Sequence, residues 1–105
     1  AAGNESTSAT TKSPASAEHP NIYTVSAMDN ADKWAYFSNY GNPPIEYCEP
    51  GVSIYSCYKG SAYATMSGTS MAAPHAAGLL LLGNINNGGT VISDPSAPAD
   101  IIGVH

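Results

Sequence analysis

The stretch Gly68-Thr69-Ser70-Met71-Ala72-Ala73-Pro74-His75-Ala76-Ala77-Gly78-Leu79-Leu80-Leu81-Leu82 decides how the rest of the chain is read. Ala and Leu favour helix. Proline fits a helix only in its first turn, so Pro74 predicts a start near Ser70 and Met71. The segment is apolar on every side, which predicts a buried helix. A serine at such a start has two readings. It can be a plain helix cap, a place where Ser and Thr are preferred. It can also be a nucleophile, provided a base stands beside it and donors face the charge that develops on the substrate. The helix N-terminus offers free N–H groups and the positive end of a dipole. Gly68 permits close approach of a substrate, and Ala72 and Ala73 leave room around the hydroxyl.

Upstream of the helix the texture is that of short strands. Residues 21–28 (Asn-Ile-Tyr-Thr-Val-Ser-Ala-Met) predict a strand, and Trp34-Ala35-Tyr36-Phe37 a strand edge. Ile45-Glu46-Tyr47-Cys48 predicts a short strand stopped at Pro50-Gly51. Residues 52–58 alternate cleanly and predict a half-buried strand, which Lys59-Gly60-Ser61 turns back into Tyr63-Ala64-Thr65-Met66. Residues 1–19 are small and polar and predict a loop. Downstream, Asn84–Gly89 predicts a turn, Val91-Ile92-Ser93 a brief strand, and 94–100 an irregular, Pro-rich stretch. The expected class is α/β, with helices on both faces of a mostly parallel sheet.

Composition removes several functions. The chain has 105 residues, 3 Lys+Arg against 8 Asp+Glu, and a formal net charge of -5. So few cations cannot neutralise a row of phosphates, which excludes nucleic acid as a partner. A polybasic membrane contact fails for the same reason. The run Ala76–Leu82 is far below the roughly 18 residues of a membrane span. Charged residues are 10% of the chain, against roughly 25% in ordinary domains. A neutral, hydroxyl-rich surface of that kind suits a secreted protein. Residues 1–11 contain no basic start followed by an apolar core. The opening Ala1-Ala2-Gly3-Asn4 reads like the inside of a domain. Cys48 and Cys57 fit no metal spacing. They are either two small buried residues or a local bridge across Glu49-Pro50-Gly51.

Read as a whole, Gly68–Gly78 closely resembles the nucleophile motif of subtilisin-like serine proteases, GTSMA-x-PH-[VA]-AG. Two further blocks agree in order and spacing. Ala1-Ala2-Gly3-Asn4 is similar to the family's oxyanion-hole segment, and Tyr47–Ile54 to its APG-x-x-I turn. Ser13-Pro14-Ala15-Ser16 and Phe37-Ser38-Asn39-Tyr40-Gly41 resemble the proteinase K-like branch. The resemblance covers residues 1 to about 83. It implies the C-terminal portion of a three-layer α/β fold with a mostly parallel sheet and a buried nucleophile helix.

It also implies roles. Ser70 would be the nucleophile, with the Asn4 amide and the Ser70 N–H as oxyanion donors. Ala1, Ala2 and Gly3 would line one wall of the specificity pocket, suited to a large apolar side chain. Lys12 would stand opposite, where the branch has an aromatic; pointing inward it would favour acidic substrates, and otherwise its amine reaches solvent. His75 belongs to the motif as a structural residue, rotated away from Ser70 by helix geometry. No cofactor is implied for the chemistry. A structural Ca²⁺ would use the carbonyls of Pro20 and Ile22 and the side chain of Glu46, although Glu replaces the branch's Asp and residues are inserted near Ala17-Glu18-His19. Glu5, Glu18, Asp94 and Asp100 read as surface charges. The family's Asp and His motifs lie upstream of its oxyanion Asn, and neither occurs here. The chain therefore reads as the C-terminal part of a catalytic domain whose partner is its own N-terminal part. Two other readings stand beside it. One is an α/β-hydrolase, because Gly68–Ala72 almost matches G-x-S-x-G. The other is a catalytically inactive binding or assembly module on the same scaffold.

Overall fold

The computed structural model describes residues 1–105. Its centre is a four-stranded sheet in the order β1 (Thr24–Met28), β2 (Ile45–Pro50), β6 (Ile101–Val104), β5 (Asn86–Thr90). β1 runs parallel to β2, and β2 parallel to β6; β5 closes the edge antiparallel to β6. A separate antiparallel hairpin joins β3 (Ile54–Tyr58) to β4 (Ala62–Met66). The only α-helix is α1 (Thr69–Leu82), and a short 3-10 turn covers Ala9–Thr11. The helical layer thus lies on one face of the sheet rather than on both.

All five residues of β1 are buried, as expected of a strand covered on each side. The period of two divides them. Val25 and Ala27 pack against Ala72 and Ala76 of α1. On the opposite face, Met28 packs with Cys48, Val91 and Ile102, and Ser26 meets Asp100. Ala72 and Ala76 are four apart and therefore stacked on one side of the helix. Their small side chains bring α1 close to the sheet. Gly51 makes the same approach at the strand end, where a Cβ would stand 2.7 Å from Ala27 Cβ and 2.7 Å from the Gly68 carbonyl.

Several expectations change. α1 begins at Thr69, so Pro74 sits in its second turn. The cost is one missing N–H, which frees the Ser70 carbonyl from the helical ladder. Only Thr69, Ala72 and Ala76 of α1 are buried, while Leu81 is 88% exposed. The expected half-buried strand is almost wholly exposed, and Trp34 makes only an isolated bridge to Met28. Part of the expected 84–89 turn is β5, and the tail supplies β6. The local disulfide is corrected too: both cysteines are free. Cys48 is buried in the central sheet, and Cys57 is exposed on the hairpin, in a different sheet. Burial pushes the Cys48 thiol up to about 12, which leaves it inert.

Candidate active site

Ser70 is the second residue of α1 and exposed. It is not the cap; Gly68 holds that position and offers no side-chain bond. The cap is supplied from elsewhere in the chain. Asn4 Oδ1 accepts from the Thr69 N–H at 2.8 Å and from the Thr69 hydroxyl at 2.9 Å. The Thr69 hydroxyl in turn accepts from the Gly3 N–H at 3.0 Å. This triangle ties residues 3–4 to the start of the helix across 65 positions of sequence. It commits the oxygen of the Asn4 amide and leaves its Nδ2 without a partner in the chain. The Ser70 N–H and hydroxyl likewise make no hydrogen bond.

Two open grooves adjoin this junction. One, of about 360 Å³, lies between β3 and the face of α1 that carries Ser70, Met71, Pro74 and His75. The other, of about 550 Å³, is bordered by Asn4, Trp34, Phe37, Val52 and Ser67. Asn4 and Ser70 thus share Thr69 as a neighbour but open onto different grooves. The Nδ1 of His75 meets the Met71 carbonyl at 2.9 Å, one turn back along the helix. That contact holds the ring to its own helix. His19 serves its own loop, where its Nδ1 accepts from the Asn21 N–H at 3.1 Å.

Ala1, Ala2, Gly3 and Lys12 border neither groove. Ala2 is fully buried with Ala9 and Ile45. The Lys12 amine lies 3.3 Å from Glu5 Oε1. Glu5 is therefore more than a loose surface charge. Its carboxyl is held below the ordinary value, first by the Asn39 side chain and then by Lys12. Asp94 and Asp100 are also more than loose surface charges: half-buried Asp94 accepts from the Ser96 and Asp100 N–H groups at 2.7 and 2.6 Å. Asp100 is fully buried, and its Oδ2 accepts from the Ser26 hydroxyl at 2.7 Å.

No three His, Cys, Asp or Glu side chains come together as a metal cluster. Glu46 Oε2 accepts from the Thr24 N–H at 2.6 Å, two residues beyond Ile22. Burial raises the Glu46 carboxyl above its ordinary value, with Glu18 adding to the effect. The carbonyls of Pro20 and Ile22 accept no hydrogen bond from the chain. Carboxylate and carbonyl oxygens are donors of the kind a hard cation takes.

The residue that sequence reasoning missed is Asn39, which organises residues 2–7. Its only signal was its place in Phe37–Gly41, a block used as a family marker without a role.

A chain with a serine at a helix start, capped by an amide from a distant segment, matches a known family by sequence. The profile of the subtilase family matches residues 1–102, and the chain belongs to that family. It is 55% identical over 82 residues to the subtilisin-like serine protease Rho m 2.0101 of Rhodotorula mucilaginosa, covering 76% of this chain and 23% of that protein. Alkaline protease 1 of Aspergillus flavus is 46% identical over 105 residues, covering 97% of this chain and 24% of that protein. The crystal structure of a cold adapted subtilisin-like serine proteinase superposes with a TM-score of 0.71 at 40% identity, over 77% of this chain and 29% of that one. The chain thus spans about a quarter of the relatives it matches.

Proposed function

We propose that the chain is the nucleophile-bearing part of a serine endopeptidase of the proteinase K-like branch. Ser70 Oγ attacks a peptide carbonyl, and the oxyanion accepts hydrogen bonds from Asn4 Nδ2 and the Ser70 N–H. The amine departs, leaving an acyl-enzyme on Ser70 that water hydrolyses. The observation that carries this reading is the Asn4–Thr69 contact. It fixes the amide oxygen and leaves the amide donor free, one residue along the helix from the unpaired Ser70 N–H. Donors held in advance cost no reorganisation when charge develops.

The proton of Ser70 needs a base, and none of the three histidines supplies one. His75 is held to its own helix and His19 to its own loop, and His105 lies in no catalytic motif. The base and its acid partner come from the N-terminal part of the domain, so this chain alone is inactive. The exposed Leu80, Leu81 and Leu82 support the same division, because they need cover that these residues do not provide. The substrate is a peptide or protein. The backbone of Ala1, Ala2 and Gly3 would form one wall of its primary pocket once the N-terminal part of the domain completes it, and Lys12, paired with Glu5, leaves that pocket suited to large apolar side chains. The protein acts outside the cell, in keeping with its low charge. Calcium, held by Glu46 with the Pro20 and Ile22 carbonyls, would neutralise the half-buried carboxylate and serve structure only.

A fluorophosphonate probe tests the reading. Ser70 is expected to be labelled when the chain is joined to its upstream part, and not in Ser70→Ala or in the chain alone. No labelling in the complete protein would replace this reading with the inactive assembly module.

A further inference from the structure

The segment that carries Asn4 hangs on one side chain that never meets the proposed reaction centre. Asn39 is fully buried. Its Oδ1 accepts from the N–H groups of Glu5 at 3.0 Å and Thr7 at 3.1 Å. Its Nδ2 donates to the Ala2 carbonyl at 3.0 Å and to Glu5 Oε2 at 2.8 Å. Its backbone N–H donates to the Gly3 carbonyl at 2.9 Å. Every hydrogen-bonding position of the amide is used. The bonds fall on residues 2, 3, 5 and 7, on each side of Asn4, whose own side chain is left for Thr69. Gly3 (φ 105°) completes the fit, because a Cβ there would collide with Asn39 Nδ2.

Asn39 is itself anchored. The neighbouring Ser38 hydroxyl accepts from the Ala27 N–H of β1 at 3.1 Å and donates to the Asn39 carbonyl at 3.1 Å. A continuous chain of bonds therefore runs from the buried strand β1 through Ser38 and Asn39 to the loop bearing Asn4. At the far end Lys12 pairs with Glu5 in an exposed contact.

We propose that Asn39 is a positioning residue for the oxyanion hole, setting where the Asn4 amide stands relative to Ser70. The inference rests on the proposed role of Asn4 and adds a residue that acts through it. An alternative anchor would have to offer two donors and two acceptors in the same small volume, which among the side chains only Asn and Gln provide.

The test is a double-mutant cycle on the complete protein. Asn39→Asp keeps the size and the two accepted bonds. It turns the two donated bonds into oxygen–oxygen contacts with Ala2 and Glu5. The expected result is a fall in kcat of about tenfold or more with KM little changed, smaller than the roughly 10²–10³-fold loss expected for Asn4→Ala. In the Asn4→Ala background, Asn39→Asp should cost no further kcat. Adding Glu5→Gln to Asn39→Asp should restore much of the loss, because a Gln amide can donate to the new carboxylate. The proposal is overturned if Asn39→Asp lowers Tm but not kcat, or if its effect multiplies unchanged with that of Asn4→Ala. An Asn4→Ala variant with normal kcat would instead remove the oxyanion reading itself. Should Asn39→Asp not fold, Asn39→Ser enters the same cycle with the same two outcomes.

Discussion

Around Asn4, a buried amide makes all four of its side-chain bonds; at the junction of β2 and β6, Glu49 and Asp100 are buried with one oxygen each unpartnered. Both regions place polar groups out of water in the same small fold. The difference lies in what the groups can offer. An amide supplies donors and acceptors, and a loop supplies both in return. A carboxylate only accepts, and the parallel ladder around it has already used its N–H groups. Burial without a donor favours the neutral form. The first region is therefore expected to hold its geometry across pH, and the second to titrate.

The largest effects should come from breaking the satisfied region. Asn4→Ala is expected to lower kcat by roughly 10²–10³-fold in the complete protein. Thr69→Val removes the hydroxyl that donates to Asn4 at 2.9 Å and accepts from Gly3 at 3.0 Å. It keeps the Thr69 N–H contact with Asn4. A loss of about tenfold in kcat is expected, on the order of one hydrogen bond's net worth. Steady-state kinetics with a peptide amide check both. The ratio to wild type should stay constant from pH 6 to pH 9, because no titrating group is altered. A ratio that drifts with pH would break the contrast between the two regions.

The unsatisfied region should show itself in stability. Burial raises Glu49 from 4.5 to about 7. Burial also raises Asp100 from 3.8 to about 7, against a lowering bond from Ser26 and with added repulsion from Asp94 and Glu46. No cation offsets either group. The folded state then keeps protons that the unfolded chain releases above its ordinary carboxyl pKa. Stability is fully present below that range, falls as pH rises toward about 7, and levels off beyond it. Each group contributes a slope of at most about 1.4 kcal/mol per pH unit. Chemical denaturation between pH 4 and pH 9 measures the fall. Glu49→Gln and Asp100→Asn should each flatten it, and a stability that rises through this window would contradict the buried, neutral pair.

The same contrast explains what could be read before any coordinates. The Gly68–Gly78 string announced a helix with a serine at its start, because proline, small residues and hydroxyls carry local signals. The strands β1 and β2 were legible from their β-branched and aromatic content. β5 was not, since Asn86-Asn87-Gly88-Gly89-Thr90 is exposed throughout and shows no alternation. The alternation of residues 52–58 was real, but periodicity does not say what covers a strand. Asp100 looked like a surface charge, and Glu49 like part of a turn, because nothing local marks a carboxylate that tertiary packing will bury. Asn39 stayed silent for the same reason: its partners lie 34 and 32 positions away at Glu5 and Thr7.

The smallest effect tests the rim of the satisfied region. Lys12 and Glu5 form an ion pair at 3.3 Å with side chains 38% and 51% exposed. Exposed pairs of this kind contribute little, because water and salt screen the attraction and two long side chains lose freedom. Glu5 also keeps its bond to Asn39 Nδ2 at 2.8 Å when the lysine is gone. Lys12→Met should therefore leave Tm and kcat for an uncharged substrate unchanged within error, at low and at high salt. A clear loss of kcat, restored by Lys12→Arg, would show that the charge of Lys12 and not the Asn39 amide holds the loop, and would move the anchor of Asn4 from the buried interior to the surface.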